Sequence, residues 1–166
     1  MKPSILQLEE YSITECSLKS ASKFNNSANF ANTISKLEMN GVQFQQGFLL
    51  NFDLNHPDII ENADIDDDEL NDKYAFIARL TIEIKKGKNK NFPYTGKIGA
   101  EGFFTIQKLK DKNYNELEKI SAVNSASLLY GIIREQFLSL SLKFAHGKIL
   151  LPAITFSPDE LLHNEE

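Results

Sequence analysis

The sequence predicts an α+β fold: four extended segments, then one long helix and one short helix lying on one face of an antiparallel sheet. Three observations predict it. Residues 74–84 alternate cleanly, with Tyr74, Phe76, Ala78, Leu80, Ile82 and Ile84 on one side and Ile77, Arg79, Thr81, Glu83 and Lys85 on the other; this is the period of a half-buried strand. Residues 124–156 hold apolar side chains at helical spacing over a run too long for a strand. Gly147 and Pro152 then stop that helix, because neither sits comfortably inside one.

The elements follow in order. In residues 6–18, Leu6, Leu8, Ser12, Cys16 and Leu18 interrupt and resume an alternation, which predicts a strand kinked or bulged near residues 11–13. Residues 24–40, rich in Asn and Ser, read as a loop with a short helix around 33–39. Residues 42–54 carry Val42, Phe44, Phe48, Leu50, Phe52 and Leu54 at period two, and Gly47 marks an expected bulge. Residues 58–72 form a strongly acidic loop. After the polar turn at 86–91, residues 92–106 resume extended structure with Ile98, Phe103, Phe104 and Ile106, bent by Gly96, Gly99 and Gly102. The third and fourth strands should form an antiparallel hairpin.

Residues 114–122 lead into the long helix, for which Asn124 or Ser125 is the expected N-cap and about Ala145 the expected end. Pro158, Asp159 and Glu160 start a short helix through Leu161 and Leu162. The long helix is apolar on two faces. Leu129, Ile133, Phe137, Leu140 and Phe144 form one stripe, and Leu128, Ile132, Leu138 and Leu142 form a second beside it. A helix packed on one sheet needs one stripe. The second must meet something else, such as a partner subunit or a client chain.

Bulk properties bound the function. The 166 residues, 42% hydrophobic and 25% charged, suit a single folded domain over residues 1–166. The net charge of -5 argues against nucleic acid as the main partner. Cys16 is the one cysteine, so no intrachain disulfide forms, and its place in an alternating strand predicts a packed side chain. Glu9 and Glu10 interrupt the N-terminal apolar residues, and no run approaches a membrane span. A cytoplasmic protein without membrane insertion is the expectation.

Little in the chain points to chemistry. Asp64, Asp66 and Asp68 have calcium-loop spacing, but Glu69 and Ala75 occupy the positions that need Gly and Glu. His56, His146 and His163 lack metal-site spacing. The glycines at 96, 99 and 102 lie within a strand pattern rather than at a strand-to-helix turn. No acid, base and nucleophile set assembles, so neither an enzyme nor a metal or cofactor protein is expected. Arg134 and Glu135, adjacent at mid-helix, cannot face each other. Each needs its own partner, across elements or subunits or on a bound chain, or solvent.

At these residues the chain resembles a known family. Leu128, Leu129 and Tyr130, then Arg134 and Glu135, then the phrase Leu150 to Phe156 (LLPAITF) look like the helix and crossover loop of SecB, the bacterial export chaperone. Gly102 to Ile106 (GFFTI) is similar to the family's fourth-strand phrase, and residues 6–18 and 48–54 match its first two strands more loosely. The resemblance implies a four-stranded antiparallel sheet with two helices, paired into dimers that stack through the long helices as a homotetramer. It implies an ATP-independent holdase that uses no cofactor and holds unfolded or preprotein polypeptides in apolar grooves for export and translocation. Groove candidates are Phe44, Phe48 and Phe52 with Ile149, Leu150, Leu151, Ile154 and Phe156. Interface candidates are Leu129, Ile133, Arg134, Phe137, Leu140 and Phe144.

The chain departs from the family where SecB docks on the SecA motor through acids of the exposed sheet face. The first acid matches Glu15, but Lys19 and Lys97 stand where the other two fall. Like charges across such an interface cost several kcal/mol. Three readings therefore stand: a SecB-like holdase for general export; a SecB-like chaperone dedicated to one partner, such as the antitoxin of a toxin–antitoxin system; and a small α+β enzyme or ligand-binding domain. The reversed charges and the acidic loop lean towards the second.

Overall fold

Residues 4–20, 43–52, 72–85, 93–144 and 146–162 are described here, from a computed structural model. The strands are β1 (Leu6–Ser20), β2 (Gln43–Asn51), β3 (Lys73–Lys85) and β4 (Tyr94–Gln107). They form one antiparallel sheet in the order β1-β4-β3-β2. The expected β3–β4 hairpin pairing is present, with Ile82 opposite Ile98 and Phe76 opposite Phe104. Helix α1 (Tyr114–Ser141) lies across β4, β3 and β1, and the short α2 (Pro158–Leu162) packs on α1 and reaches β2.

The β3 alternation decides which sheet face is covered. Phe76, Ala78, Leu80 and Ile84 are fully buried beneath the helix, while Arg79 on the other face is exposed. β4 continues the same layer through Tyr94, Ile98, Ala100, Phe104 and Ile106. From α1, Leu117, Ala122, Ala126, Leu129, Ile133 and Phe137 close the core. Each such large side chain contributes roughly 1.5–3 kcal/mol by leaving water.

β1 carries two irregularities, between Leu8 and Glu10 and between Ile13 and Glu15. Each inserts one residue and flips the alternation. The residues opposite the covered face of β4 are therefore Leu6 and Leu8, then Tyr11 and Ile13, then Cys16 and Leu18. The expected bulge near residues 11–13 is thus a pair of bulges flanking them. Gly102 and Gly99 stand opposite Tyr11 and Glu15, beside the bulges. At Gly96 the strands approach so closely that a Cβ would lie 2.5 Å from the Ser17 carbonyl oxygen, hence glycine.

Other expectations change. The helix begins at Tyr114 and not near Asn124 or Ser125, because Asn113 caps it. The Asn113 side chain accepts from the Glu116 N–H at 2.9 Å, and the Glu116 carboxylate accepts from the Asn113 N–H at 3.0 Å. This reciprocal box satisfies two orphan donors. β2 runs without a break through Gly47, which pairs with Thr81, so no bulge forms there. Cys16 is exposed rather than packed, because β1 is an edge strand. The loop helix expected at 33–39, the acidic residues 58–71, the turn at 86–91, His56 and His163 lie outside the described residues.

Candidate functional site

The segment 142–157 crosses from α1 to α2 and is pinned by hydroxyl groups. The Tyr130 hydroxyl donates to the Pro152 carbonyl at 2.6 Å, and the Tyr94 hydroxyl donates to the Gly147 carbonyl at 2.6 Å. At the helix end, the Ser141 hydroxyl donates to the Leu138 carbonyl and accepts the Ile149 N–H at 2.7 Å. Gly147 turns the chain at φ 87, a region that favours glycine. Tyr94 is fully buried between Phe144 and His146, and burial pushes its pKa up.

These tethers sort the crossover residues. Ile149 and Leu151 are fully buried and Phe156 nearly so, stacked edge-on against Tyr130. Leu150 points the other way and is 42% exposed, and Ile154 is half-buried. Just past the end of β2, Phe52 is buried in an aromatic cluster with Tyr74, Phe76 and Tyr114. Phe48 is half-buried. Phe44 pairs with Ile84 through its backbone, and its side chain lies outside the described residues. Of the groove candidates, Phe52, Ile149, Leu151 and Phe156 therefore build the subunit's own core. Phe48, Leu50, Leu150 and Ile154 are what the segment and the β2 edge leave accessible in part.

The helix stripes are assigned by burial. Leu129, Ile133 and Phe137 are fully buried against the chain's own sheet, so they are corrected as interface residues: no surface of theirs remains for a partner. Leu140 and Phe144 are half-buried around the same core. The second stripe faces away from the sheet, with Leu128 at 44% and Leu142 at 65% exposure and Ile132 and Leu138 half-buried. Gly131 lies on that side with open space around it. Arg134 is half-buried, and its Nε is shielded with no hydrogen-bond partner among the described residues, while Glu135 is exposed. A shielded guanidinium N–H lacking an acceptor is costly, and it borders the uncovered stripe.

The open sheet face is polar with apolar spots. Arg79 is bridged to Glu101, with Nε 2.9 Å from Oε2. Lys97 sits 2.7 Å from Glu15, and hydrogen bonding and attraction from Glu15, with help from Glu83, raise its pKa. Glu15, the docking candidate, is thus paired with Lys97. A hollow of about 200 Å³ opens at Glu101, lined by Ile77, Phe103, Glu10 and Tyr11. Periodicity already puts Ile77 on the polar side of its strand with Arg79 and Glu83, and the structure adds Phe103, which pairs with it. Among the described residues, no group of three or more His, Cys, Asp and Glu side chains is placed to hold a metal ion, and no helix is long and apolar enough to cross a membrane.

No protein-family profile and no curated protein sequence matches the chain. Among solved structures, the SecB-like chaperone Rv1957 of Mycobacterium tuberculosis, in complex with a ChAD peptide from the Rv1956 HigA1 antitoxin, superposes with a TM-score of 0.54 at 15% identity, covering 90% of each chain. A Streptococcus agalactiae protein of unknown function aligns with a TM-score of 0.45 at 13% identity, covering 89% of this chain and 97% of its own. The four-stranded antiparallel sheet with its helices on one side is a SecB-like fold.

Proposed function

We propose that this protein is a chaperone that holds extended or unfolded polypeptide chains, working without catalysis or a cofactor. The observation that carries the reading is apolar surface the SecB-like fold leaves uncovered: Leu49, Leu128, Leu142 and Leu150 are 42–65% exposed. One such contact gives weak, fast-exchanging binding, and several on one chain multiply the effective affinity. The outer stripe of α1 is the surface for subunit stacking into a dimer of dimers, with the Arg134 guanidinium meeting an acceptor from the second subunit. Suppressed aggregation of a chemically denatured model protein, together with a tetramer mass by native mass spectrometry, tests this. A protein that leaves aggregation unchanged at equimolar amounts refutes the chaperone reading.

Service to one dedicated partner, such as an antitoxin, is favoured over general export. The fold neighbour is bound to an antitoxin peptide. The Glu15–Lys97 pair cancels charge on the open sheet face, where the export family presents acids. Titration with a SecA motor at low salt, where electrostatic docking is strongest, separates the two: tight binding there would restore the export role.

A further inference from the structure

Two sets of cations differ in how they are held. Arg79, Lys85 and Lys97 on the open sheet face each meet a carboxylate, that of Glu101, Glu83 and Glu15 respectively. Lys143 and Lys148 are exposed, and among the described residues neither side chain makes an ion pair or a hydrogen bond. Both stand at one place in the fold. The Ile149 N–H reaches back to the Ser141 hydroxyl at 2.7 Å, and the Tyr94 hydroxyl holds the Gly147 carbonyl. The bend between α1 and the crossover segment is thereby closed at its base, with Lys143 leaving the helix and Lys148 entering the crossover.

Beyond the bend the crossover residues alternate. Ile149 and Leu151 are buried, so Lys148 and Leu150 share the outer side. Ala153 and Thr155 continue as exposed residues towards Asp159 and Glu160, which are exposed in the first turn of α2. The segment therefore shows positive charge at one end, apolar surface at Leu150 and the half-buried Ile154, and negative charge at the other end. A lysine beside apolar surface attracts a carboxylate more strongly once a bound apolar chain drives water from between them.

We propose that Lys143 and Lys148 determine which chains this surface takes: polypeptides whose apolar run is flanked on one side by acidic residues. The acidic flank lies at the bend, the apolar run over Leu150 and Ile154, and the opposite flank, neutral or basic, towards Asp159. Lysines just past a helix C-terminus also offset the helix dipole, a role that needs no bound chain, and the experiment below separates the two. The net charge of -5 makes the inference specific, because the field of the chain as a whole repels acidic segments and favours basic ones. A preference for acidic flanks would have to come from a local pair of cations. This inference rests on the chaperone reading and names the sequence class that its surface selects.

Fluorescent peptides titrated with the full chain test it. They share one apolar middle and carry a run of Glu, Ser or Lys at one end. At low salt the Glu peptide should bind at least fivefold tighter than the Lys peptide, and the ratio should shrink towards one at high salt. Lys143→Gln with Lys148→Gln should cut that ratio at least threefold, and Lys143→Glu with Lys148→Glu should reverse it. Lys110→Gln with Lys119→Gln, both exposed at the other end of α1, changes the net charge equally and should leave the ratio as it is. A Lys peptide that binds as tightly as the Glu peptide overturns the proposal. So does a ratio that the Lys110 and Lys119 pair lowers equally, or one that survives in the Lys143 and Lys148 glutamine pair; a lower urea midpoint in that last case would leave those lysines their helix-end role alone. If no peptide binds while aggregation of a denatured protein is suppressed, the proposal falls and the chaperone reading stands; without suppression both fall.

Discussion

The division of labour on α1 can be tested by truncating one stripe and charging the other. Phe137 is fully buried in its own subunit between helix and sheet. Phe137→Ala removes an aromatic ring and leaves a cavity that the β3–β4 layer fills only in part, at a cost of about 3–5 kcal/mol. For a chain of this length each kcal/mol lowers the melting temperature by about 2–4 °C, so the shift is roughly 6–20 °C. The contrasting variant is the double change Leu128→Asp with Leu142→Asp. At 44% and 65% exposure these side chains give up little burial within the subunit. Surface changes of this kind stay near ~0.5 kcal/mol each, but a carboxylate forced against a partner's apolar stripe costs several kcal/mol of association. Differential scanning calorimetry at low concentration reads the fold, and sedimentation velocity reads the assembly. Phe137→Ala should melt early whatever its mass. The double variant should lose mass while keeping its secondary structure. If the double variant melts as early as Phe137→Ala while wild type and variant sediment alike, the outer stripe belongs to the subunit's own core, and the reasoning about two faces is wrong.

Three further outcomes follow from single groups. Asn113→Ala breaks the capping box at the start of α1 and should cost about 0.5–2 kcal/mol, read from urea midpoints; a loss below ~0.2 kcal/mol would mean the first turn is held by packing alone. Tyr130→Phe leaves the Pro152 carbonyl without its 2.6 Å donor, costing about 1–3 kcal/mol locally; amide exchange at residues 149–154 should speed up, and unchanged rates would show that the crossover segment is held by its apolar side chains. Tyr94 gives the pH dependence. Burial raises its pKa above the ordinary 10.0, so the folded chain holds that proton more tightly than the unfolded one. The stabilisation is complete below pH 10.0 and is lost as the pH rises through the folded-state value. Urea midpoints from about pH 9 to 11 should fall more steeply for wild type than for Tyr94→Phe, and parallel curves would remove Tyr94 as the cause.

How much of this was legible depended on whether a signal was local. The β3 alternation and the β3–β4 pairing follow from period two and a polar turn, because both are set within a dozen residues. The helix start was misplaced although its signal is also local: Asn113 and Glu116 have capping-box spacing, but the polar residues 113–119 hid it, since only Leu117 there is buried. The two-stripe pattern was visible, yet which stripe faced the sheet was not. Both are leucine- and isoleucine-rich, and only the position of β4 beneath the helix distinguishes them. The same holds for the crossover segment. Ile149, Leu150 and Leu151 are equivalent in composition, and their sorting into buried, exposed and buried follows from tethers that composition does not show: Ser141 at the end of the helix, and Tyr94 and Tyr130 further back in the chain.

β1 shows how a functional asymmetry is written in a pattern that looks like noise. Held to period two, the segment is apolar at Leu6 and Leu8 and then fails at Glu10 and Ser12. Read with two inserted residues, Leu6, Leu8, Tyr11, Ile13, Cys16 and Leu18 all face the covered side. The inserted residues are Glu9 and Thr14, and the strand carries four charges, Glu9, Glu10, Glu15 and Lys19, features that disfavour strand addition at an edge. Tyr11 and Cys16 are nevertheless exposed on the covered side, so β1 keeps apolar surface there without an edge open to any passing strand. β2 has the opposite character, with a regular ladder, no charge and exposed flanks.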